Sequence, residues 1–514
     1  MNLLADPILT LDGRPRASLP ALLAALARGE VRGFPALRPH QRPAWHMFLV
    51  QLGALALWTA VRDRPPLDVQ TWAEALRGLT PDHPDDSPWR LAVADRSKPA
   101  FLQAPAPDGL RWSEVATPDA LDMLITARNH DLKQGIARQA MAEDWVYALV
   151  SLQTCEGYGG KGNSGIARMN GGSSSRPLLG LAPTRSEDMS IDPSAWWARD
   201  VKLLLAAREK GGHGDVGTPG GPALLWCLDW PEGRQLDFRT LDPWFIEICR
   251  RVRLTESGGR LSAQRATSKG TRIDAKALRG NTGDPWTPVD TSGKSLTLGE
   301  RGDFHYRRLY DLLFSGNWNR PFLACPGDGE SGDMVVVAEA IARGNSKTGG
   351  FRSRVVPVPG KIVPLISSGG IGSLASEQMK EIESFDKALG YALALTAAGG
   401  KSEAGAVGKK HFAHAGPARK RFDRAADRLF FPSLWRRAGV ATESDDAAFE
   451  AKRAFLADLW EAAKTEFEAA LPSIPCPAVL RPRAEARARR ALRNRIWKHY
   501  YHELFDREGA DDAV

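Results

Sequence analysis

Apolar residues recur at helical spacing near the start of the chain. The pattern extends from Ser18 to Trp58, and Pro39 and Pro43 interrupt it. Because proline breaks a helix interior but is tolerated in the first turn, we predict a short helix followed by a longer one. Proline and aspartate become frequent between Pro65 and Gly109, which predicts loops, and a further helical run is predicted from Pro118 to Ala127.

Alternating apolar positions predict strands in the middle of the chain. A short apolar run at Ala223–Leu228 predicts a buried strand. The alternation from Ile246 to Leu254 ends at Gly258-Gly259, which predicts a hairpin. A second hairpin is predicted to join Met334–Arg343 to Phe351–Val358 through a polar turn with an exposed, basic tip.

After Gly369-Gly370 the pattern contains long helices only. They are predicted at Leu374–Ala398, Ala418–Phe430, Asp445–Ala470 and Pro482–Phe505. The fold class that follows is α+β. We expect a large mixed N-terminal domain, residues 1–368, with irregular β-sheets and hairpins, and a C-terminal four-helix bundle, residues 369–514.

Composition narrows the function only slightly. The 514 residues include 69 Lys and Arg against 61 Asp and Glu, a formal charge of +8, which by itself is weak support for a nucleic-acid partner. The five cysteines are scattered without a CxxC pair, so neither a zinc site nor a disulfide framework is predicted. The longest apolar stretch, Met47–Ala60, is too short to span a membrane, and the first residues lack the basic segment of a secretion signal. We therefore expect a cytoplasmic protein.

A glycine-rich segment, Gly157–Gly172, follows a helix predicted at Ala140–Cys155. Bare glycines allow backbone amides to approach an anion closely, and Lys161, Arg168 and Arg176 add cations to the same stretch. The pattern GxxxxGK[ST] is absent, and the segment follows a helix and not a strand, so it fails to match nucleotide-binding motifs. Phosphate or groove contact explains the mixture, and a mobile surface loop is the alternative.

The sequence contains no recognisable catalytic or metal-binding pattern. Asn129–Lys133 has one histidine and one aspartate, too few ligands for a metal ion, and the pair His411 and His414 lacks a third ligand. No nucleophile elbow, HExxH pattern or EF-hand occurs. We therefore predict no enzyme activity, no cofactor and no metal site.

Basic residues in the C-terminal region form a second group of candidates. Arg487 and Arg490 lie at helical spacing on the last predicted helix, and Lys409 and Lys410 lie in a glycine-containing loop. We predict that these four side chains contact phosphates, and a solvated charged face is the alternative.

Several of these segments together resemble CasA, the large subunit of the type I-E CRISPR Cascade complex. The resemblance rests on the opening Met1-Asn2-Leu3-Leu4, on Arg42-Pro43 before a long helix, on the Gly157–Gly172 loop after its helix, and on the terminal helical bundle. It covers the whole chain. It implies a subunit that inspects duplex DNA for a short protospacer-adjacent motif, while a guide RNA recognises the adjoining sequence by base pairing.

The resemblance implies three elements that approach the motif from the minor groove, which distinguishes bases poorly. They are a glycine loop, a lysine finger and a hairpin wedge that helps to part the strands. The lysine finger falls on Lys276, shortly before Pro285-Trp286-Thr287-Pro288, and gaps would move it to Lys269 or Arg272. The wedge falls on the hairpin tip Asn345–Gly349, which lacks the glutamine typical of the wedge in this family. The implied DNA-motif contacts are Gly157, Gly159, Gly160, Lys161, Lys276, Asn345, Ser346, Lys347 and Thr348. The cations of the glycine-rich segment separately predict phosphate contacts at Arg168 and Arg176.

The resemblance also implies partners. A loop at Asn129, His130, Asp131 and Lys133 resembles the family loop that seats the subunit on the guide RNA. The expected partners are other Cascade subunits, CRISPR RNA, target double-stranded DNA and a separate helicase-nuclease that is recruited once the R-loop forms. Two rival hypotheses remain: a nucleotide-dependent enzyme that uses Gly157–Gly165, and an architectural scaffold whose basic last helix packs against partners or RNA.

Overall fold

The computed structural model describes residues 1–127, 140–211, 216–344, 347–403, 406–441 and 443–505. The chain divides into two compact units. The first contains Met1–Phe304 and Asn317–Pro357, and the second contains His305–Gly316 and Val358–Val514. The units therefore divide at Val358, ten residues before the end of the predicted N-terminal domain at residue 368. The segment His305–Gly316 also belongs to the second unit.

Among the residues that the structure describes, five α-helices belong to the first unit. α2 is its central element, because every residue from Pro43 to Leu57 is buried. Ser18, Asp68 and Asp192 precede three of the helices, and their side chains accept backbone N–H groups of the first turn, as N-cap residues do. The helices are α1 (Leu19–Ala27), α2 (Arg42–Thr59), α3 (Val69–Gly78), α4 (Ala142–Cys155) and α5 (Pro193–Glu209).

Within the described ranges, short strands make four small sheets in the same unit. The sheet orders are β1-β5-β4, β10-β9-β2, β3-β6 and β7-β8. Both predicted hairpins are confirmed: β4 pairs with β5 across Gly258-Gly259, and β9 pairs with β10. The strands are β1 (Ser113–Val115), β2 (Leu178–Pro183), β3 (Leu236–Asp237), β4 (Arg251–Ser257), β5 (Arg260–Ala266), β6 (Ile273–Asp274), β7 (Val289–Asp290), β8 (Trp318–Asn319), β9 (Met334–Arg343) and β10 (Thr348–Val358).

Two predicted elements are wrong. The strand predicted at residues 223–228 is replaced by a 3-10 turn, Leu225–Cys227. Leu224 makes only an isolated bridge to Ile246, and no continuous strand pairing follows from it. The run from Pro118 forms a single 3-10 turn, Pro118–Ala120. The side chain of Asp122 accepts the N–H groups of Leu124 and Ile125 and so competes with helical hydrogen bonds.

In the part of the second unit that the structure describes, four long helices pack as a bundle, which confirms the predicted C-terminal architecture. α6 joins it because the Tyr306 hydroxyl donates to Asp423 at 3.0 Å. A buried guanidinium, Arg437, pairs with Glu381 at 2.8 Å inside the bundle, and burial raises the pKa of Glu381 to about 7. The helices are α6 (Tyr306–Phe314), α7 (Gly369–Ala397), α8 (Lys409–Ala413), α9 (Gly416–Val440), α10 (Asp445–Ala470) and α11 (Arg481–Leu504).

Candidate nucleic-acid interface

The glycine-rich segment forms a closed loop whose two ends meet beside the end of α4. Gly157 N donates to Ser174 O at 3.0 Å, and Arg176 N donates to Cys155 O at 2.8 Å. The next helix along the chain, α5, begins only at Pro193. A phosphate-binding loop normally opens directly into a helix N-terminus, so the geometry opposes the nucleotide-enzyme hypothesis for this loop.

Gly157 lies inside the loop. A Cβ there would lie 2.5 Å from Ser174 O and 2.6 Å from Gly172 O, so only glycine fits. Its carbonyl accepts a hydrogen bond from Arg250 at 2.6 Å, and its N–H is also paired. Both backbone groups of Gly157 are thus used within the protein. The prediction of a DNA contact at Gly157 is contradicted, because this residue closes the loop and has no donor left for a base.

The opposite end of the loop is open. Gly159 and Lys161 are exposed, and Gly160 has a positive φ, with no atom within 4 Å of the point where a Cβ would lie. Ser268 N donates to Gly162 O at 2.9 Å and fixes the tip. In the described part of the chain, the N–H groups of Gly160, Lys161 and Gly162 donate to no acceptor. The tip therefore presents one ammonium group and three backbone donors.

Lys276 borders the same cavity as the glycine loop. The cavity has a volume of about 710 Å³. Its lining includes Gly157, Tyr158 and most residues from Ser164 to Gly172, together with Lys276, Arg279 and residues 271–275. Lys276 is exposed at the first position of a 3-10 turn, Lys276–Leu278. Arg272 is buried and donates to Asp229 O at 2.8 Å and Leu228 O at 3.0 Å. Lys269 is exposed but lies outside the lining. Among the three sequence candidates, the geometry favours Lys276.

Ser295 joins the two sides of the cavity. Its hydroxyl accepts Asn170 N–H at 2.9 Å, and its own N–H donates to Arg279 O at 3.1 Å. Gly280 packs at this junction, where a Cβ would lie 2.1 Å from Ser295 Oγ. The loop and the Lys276 turn are therefore held by direct contacts between segments more than a hundred residues apart in sequence.

The β9–β10 hairpin is attached to the same region at its base. Arg343 N donates to Leu298 O at 3.2 Å, close to Ser295 in sequence. Lys347 is exposed, whereas the Thr348 hydroxyl donates to Ala342 O at 3.2 Å and is half-buried. Asn345 and Ser346 lie outside the described residues. Of the predicted wedge residues that the structure describes, Lys347 is the one with an exposed side chain.

The structure brings further residues to the cavity that the sequence did not indicate. Tyr158 is 48% exposed beside the loop tip, and Arg279 borders the cavity opposite it. Glu247 is buried at the lining, accepts Ala167 N–H at 2.8 Å, and has its pKa raised by burial. No local pattern identifies these residues, because each is brought to the cavity by tertiary packing.

Arg168 and Arg176 are not phosphate ligands in this structure. Arg168 is 1% exposed, lies 4.0 Å from the Phe245 ring centroid and donates to Phe245 O; burial lowers its pKa to about 10. Arg176 forms two hydrogen bonds to Asp284, at 2.6 and 2.8 Å, and both groups are buried. The predicted phosphate contacts at these two arginines are wrong, because both guanidinium groups are used inside the core.

Glu156 lies directly before the loop. It is buried, its carboxylate is 3.7 Å from Arg250, and burial raises its pKa to about 8. Arg250 also donates to Gly157 O. The charge state of Glu156 is therefore linked to the arginine that supports the loop entrance.

The predicted contacts in the second unit are at its surface. Lys409, Lys410, Arg487 and Arg490 are all exposed. Arg487 donates to Gly400 O at 2.8 Å, whereas no ion pair is formed by Arg490 in the described part of the chain. The predicted RNA-proximal residues Asn129, His130, Asp131 and Lys133 lie outside the described residues.

Among the described residues, no group of three or more His, Cys, Asp or Glu side chains is arranged to hold a metal ion. No helix within the described ranges combines the length and apolar character needed to cross a bilayer.

The architecture is that of a two-unit α+β protein in which a mixed unit with small sheets carries a glycine loop and a helical unit follows. No family model and no curated protein matches the sequence. Solved structures share the fold along nearly the whole chain. Cse1 of Thermobifida fusca matches with a TM-score of 0.62 at 15% identity, covering 96% of this chain and 98% of that one.

Two other solved structures agree with that match. Cse1 of Acidimicrobium ferrooxidans has a TM-score of 0.61 at 17% identity and covers 96% of this chain and 98% of its own. CasA (Cse1) of Thermus thermophilus has a TM-score of 0.58 at 15% identity, with 97% and 99% coverage. The chain therefore has the CasA/Cse1 fold, which confirms the predicted fold class and the resemblance at the level of architecture.

Proposed function

We propose that the chain is the large, non-catalytic subunit of a type I-E Cascade complex and recognises a protospacer-adjacent motif in duplex DNA. The observation that carries the proposal is the shared cavity of the glycine loop and Lys276, on a chain with the CasA/Cse1 fold. The free N–H groups at Lys161 and Gly162 supply donors for the acceptors on the minor-groove floor, namely adenine N3 and thymine O2.

The division of labour follows from exposure and charge. Gly159 and Gly160 allow the backbone to approach a base edge, Lys276 reaches the groove from the other side, and Lys161 contacts phosphate. Lys347 at the hairpin contacts DNA where the strands part. The exposed cations of the second unit, Lys409, Lys410, Arg487 and Arg490, contact phosphates. The partners are the other Cascade subunits, CRISPR RNA, target DNA and a helicase-nuclease, in the cytoplasm.

A gel-shift experiment on the reconstituted complex tests the site. Gly160→Asp and Lys276→Ala should each weaken capture of motif-bearing DNA, by about 1–3 kcal/mol per lost contact. The matched controls are Gly109→Asp, an exposed glycine with positive φ and open surroundings, and Lys202→Ala, an exposed lysine on α5 outside the cavity. Unchanged motif preference in both test variants, with assembly intact, would show that the loop tip and the Lys276 turn are not the recognition site.

A further inference from the structure

The solvent side of α11 carries a row of cations with one exposed aromatic side chain. The buried residues of this helix are Ala484, Ala488, Leu492 and Ile496. Side chains three and four residues apart share a helix face, so one row runs along the side opposite these residues. This row, here called the α11 row, consists of Arg483, Arg487, Arg490, Asn494, Trp497 and Lys498, all of them exposed.

The charge of the α11 row is not neutralised within the described part of the chain. Arg483, Arg490 and Lys498 form no ion pair there. Arg487 donates to a neutral acceptor, the Gly400 carbonyl, at 2.8 Å and so keeps its charge. Arg487 lies four residues after Arg483 and three before Arg490, and like charges at these spacings destabilise a helix. A row of this kind is suited to a polyanion.

The acidic residues of α11 lie off the row and are already paired. Glu485 lies 3.4 Å from Arg481 and 3.6 Å from Arg489, and Glu503 lies 3.4 Å from Lys452. Both glutamates are half-buried. A strand of phosphates along the row would therefore meet cations without a neighbouring carboxylate to repel it.

Trp497 narrows the kind of polyanion. Its side chain is 47% exposed, although tryptophan is mostly buried in folded proteins. Tyr501 contacts it edge to face, with the ring centroids 5.2 Å apart. Arg490 lies two helical turns before Trp497, and Lys498 follows it directly. Cations beside an exposed aromatic ring are typical of single-strand binding, in which bases stack on the ring. The bases of a duplex are stacked on one another and leave the ring without a partner.

α9 carries a second cationic row that lacks this ring. Lys420, Arg424 and Arg428 are exposed at four-residue spacing, and they form no ion pair with any residue that the structure describes. No aromatic side chain of α9, all of which is described, is among the exposed large apolar residues. The α9 row therefore provides a control in which charge is present without an exposed ring.

We propose that the α11 row binds single-stranded DNA, with phosphates on its cations and a base stacked on Trp497. From Arg483 to Lys498 the row is about 22 Å long, at about 1.5 Å per residue, which accommodates several phosphates. The inference deepens the phosphate contacts proposed above for Arg487 and Arg490. Its choice of DNA rests on the proposed function, because a guide RNA that pairs with one target strand leaves the other strand unpaired.

Fluorescence anisotropy with fluorescein-labelled oligo-dT and the full chain tests the proposal. Trp497→Ala should weaken oligo-dT binding roughly tenfold, as the loss of one stacked base predicts. Binding of a duplex of the same length should be unchanged. The matched control is Phe449→Ala, which removes an aromatic side chain that is 42% exposed on α10. This control should bind oligo-dT as the unmodified chain does.

Salt dependence separates stacking from charge. R483A/R490A should reduce the slope of log K against log salt by about 1.4, because each phosphate contact on a single strand contributes about 0.7. Trp497→Ala should leave the slope unchanged. The control R424A/R428A removes the same charge from the α9 row and should have little effect on either the affinity or the slope. Urea unfolding of each variant verifies that it is folded.

Three results would overturn the proposal: unchanged oligo-dT binding by Trp497→Ala, an equal loss of duplex binding, or equal effects of the two double variants. Tighter binding of oligo-rU than of oligo-dT would overturn the choice of DNA and assign the row to RNA. Oligo-dT carries no motif, so the Trp497 result is independent of motif recognition. Normal motif-dependent capture by the assembled complex, with oligo-dT binding insensitive to Trp497→Ala, would refute this inference alone.

Discussion

Replacing Gly280 by alanine is expected to separate the two sides of the DNA interface. Gly280 has φ of +79°, and a Cβ there would lie 2.1 Å from Ser295 Oγ and 2.6 Å from Asn170 N. The left-handed backbone costs an alanine about 1–2 kcal/mol, the overpacking about 1–3 kcal/mol, and the lost Asn170–Ser295 hydrogen bond about 1 kcal/mol. We therefore expect Gly280→Ala to lower the free energy of unfolding by about 3–6 kcal/mol.

Urea unfolding of the full chain measures this loss. The matched control is Gly293→Ala, where φ is +78° but the nearest atom to a Cβ is Arg279 Nη2 at 4.0 Å, so only the backbone cost of about 1–2 kcal/mol applies. Motif-dependent DNA capture should fall for the Gly280 variant and stay unchanged for the control. If the two variants lose the same stability, Gly280 does not hold the loop against the Lys276 turn, and the coupling through Ser295 is refuted.

Three other substitutions test the electrostatics. The folded pKa of Glu156, about 8, lies above the ordinary value of 4.5, so its stabilising contribution is present in acid and is lost as pH rises toward 8. Glutamine has no carboxyl group to ionise. The stability of Glu156→Gln relative to the unmodified chain should therefore increase by a few kcal/mol as the pH rises from about 5 to about 9, measured by urea unfolding at each pH. Arg176→Ala should destabilise the chain by about 3–5 kcal/mol, because Asp284 is left buried without its cation, and a loss below about 1 kcal/mol would contradict the role assigned to this pair. Lys161→Ala should weaken binding of all DNA sequences alike and reduce the slope of log K against log salt by about 1, measured by fluorescence anisotropy. A change of motif preference in Lys161→Ala would instead make Lys161 a base-contacting residue. An effect of Glu156→Gln on stability that does not depend on pH would show that the carboxyl group of Glu156 is ionised at all these pH values.

The sequence by itself determined the local elements of this protein. The helix Asp445–Ala470 and the two hairpins were predicted because their apolar periodicity and turn glycines act over short distances. The strand predicted at Ala223–Leu228 failed because a short apolar run is buried equally well as strand, turn or helix, and its partners decide which forms.

Only the tertiary structure decided which candidate residues form the interface. Arg168 and Lys161 are both cations in one glycine-rich segment, yet Arg168 stacks on Phe245 in the core and Lys161 is exposed. Lys276 joins the loop through Ser295 and a cavity whose walls are far apart in sequence. The physical reason is that local pattern fixes backbone conformation, whereas burial and charge pairing depend on which distant segments fold against a residue.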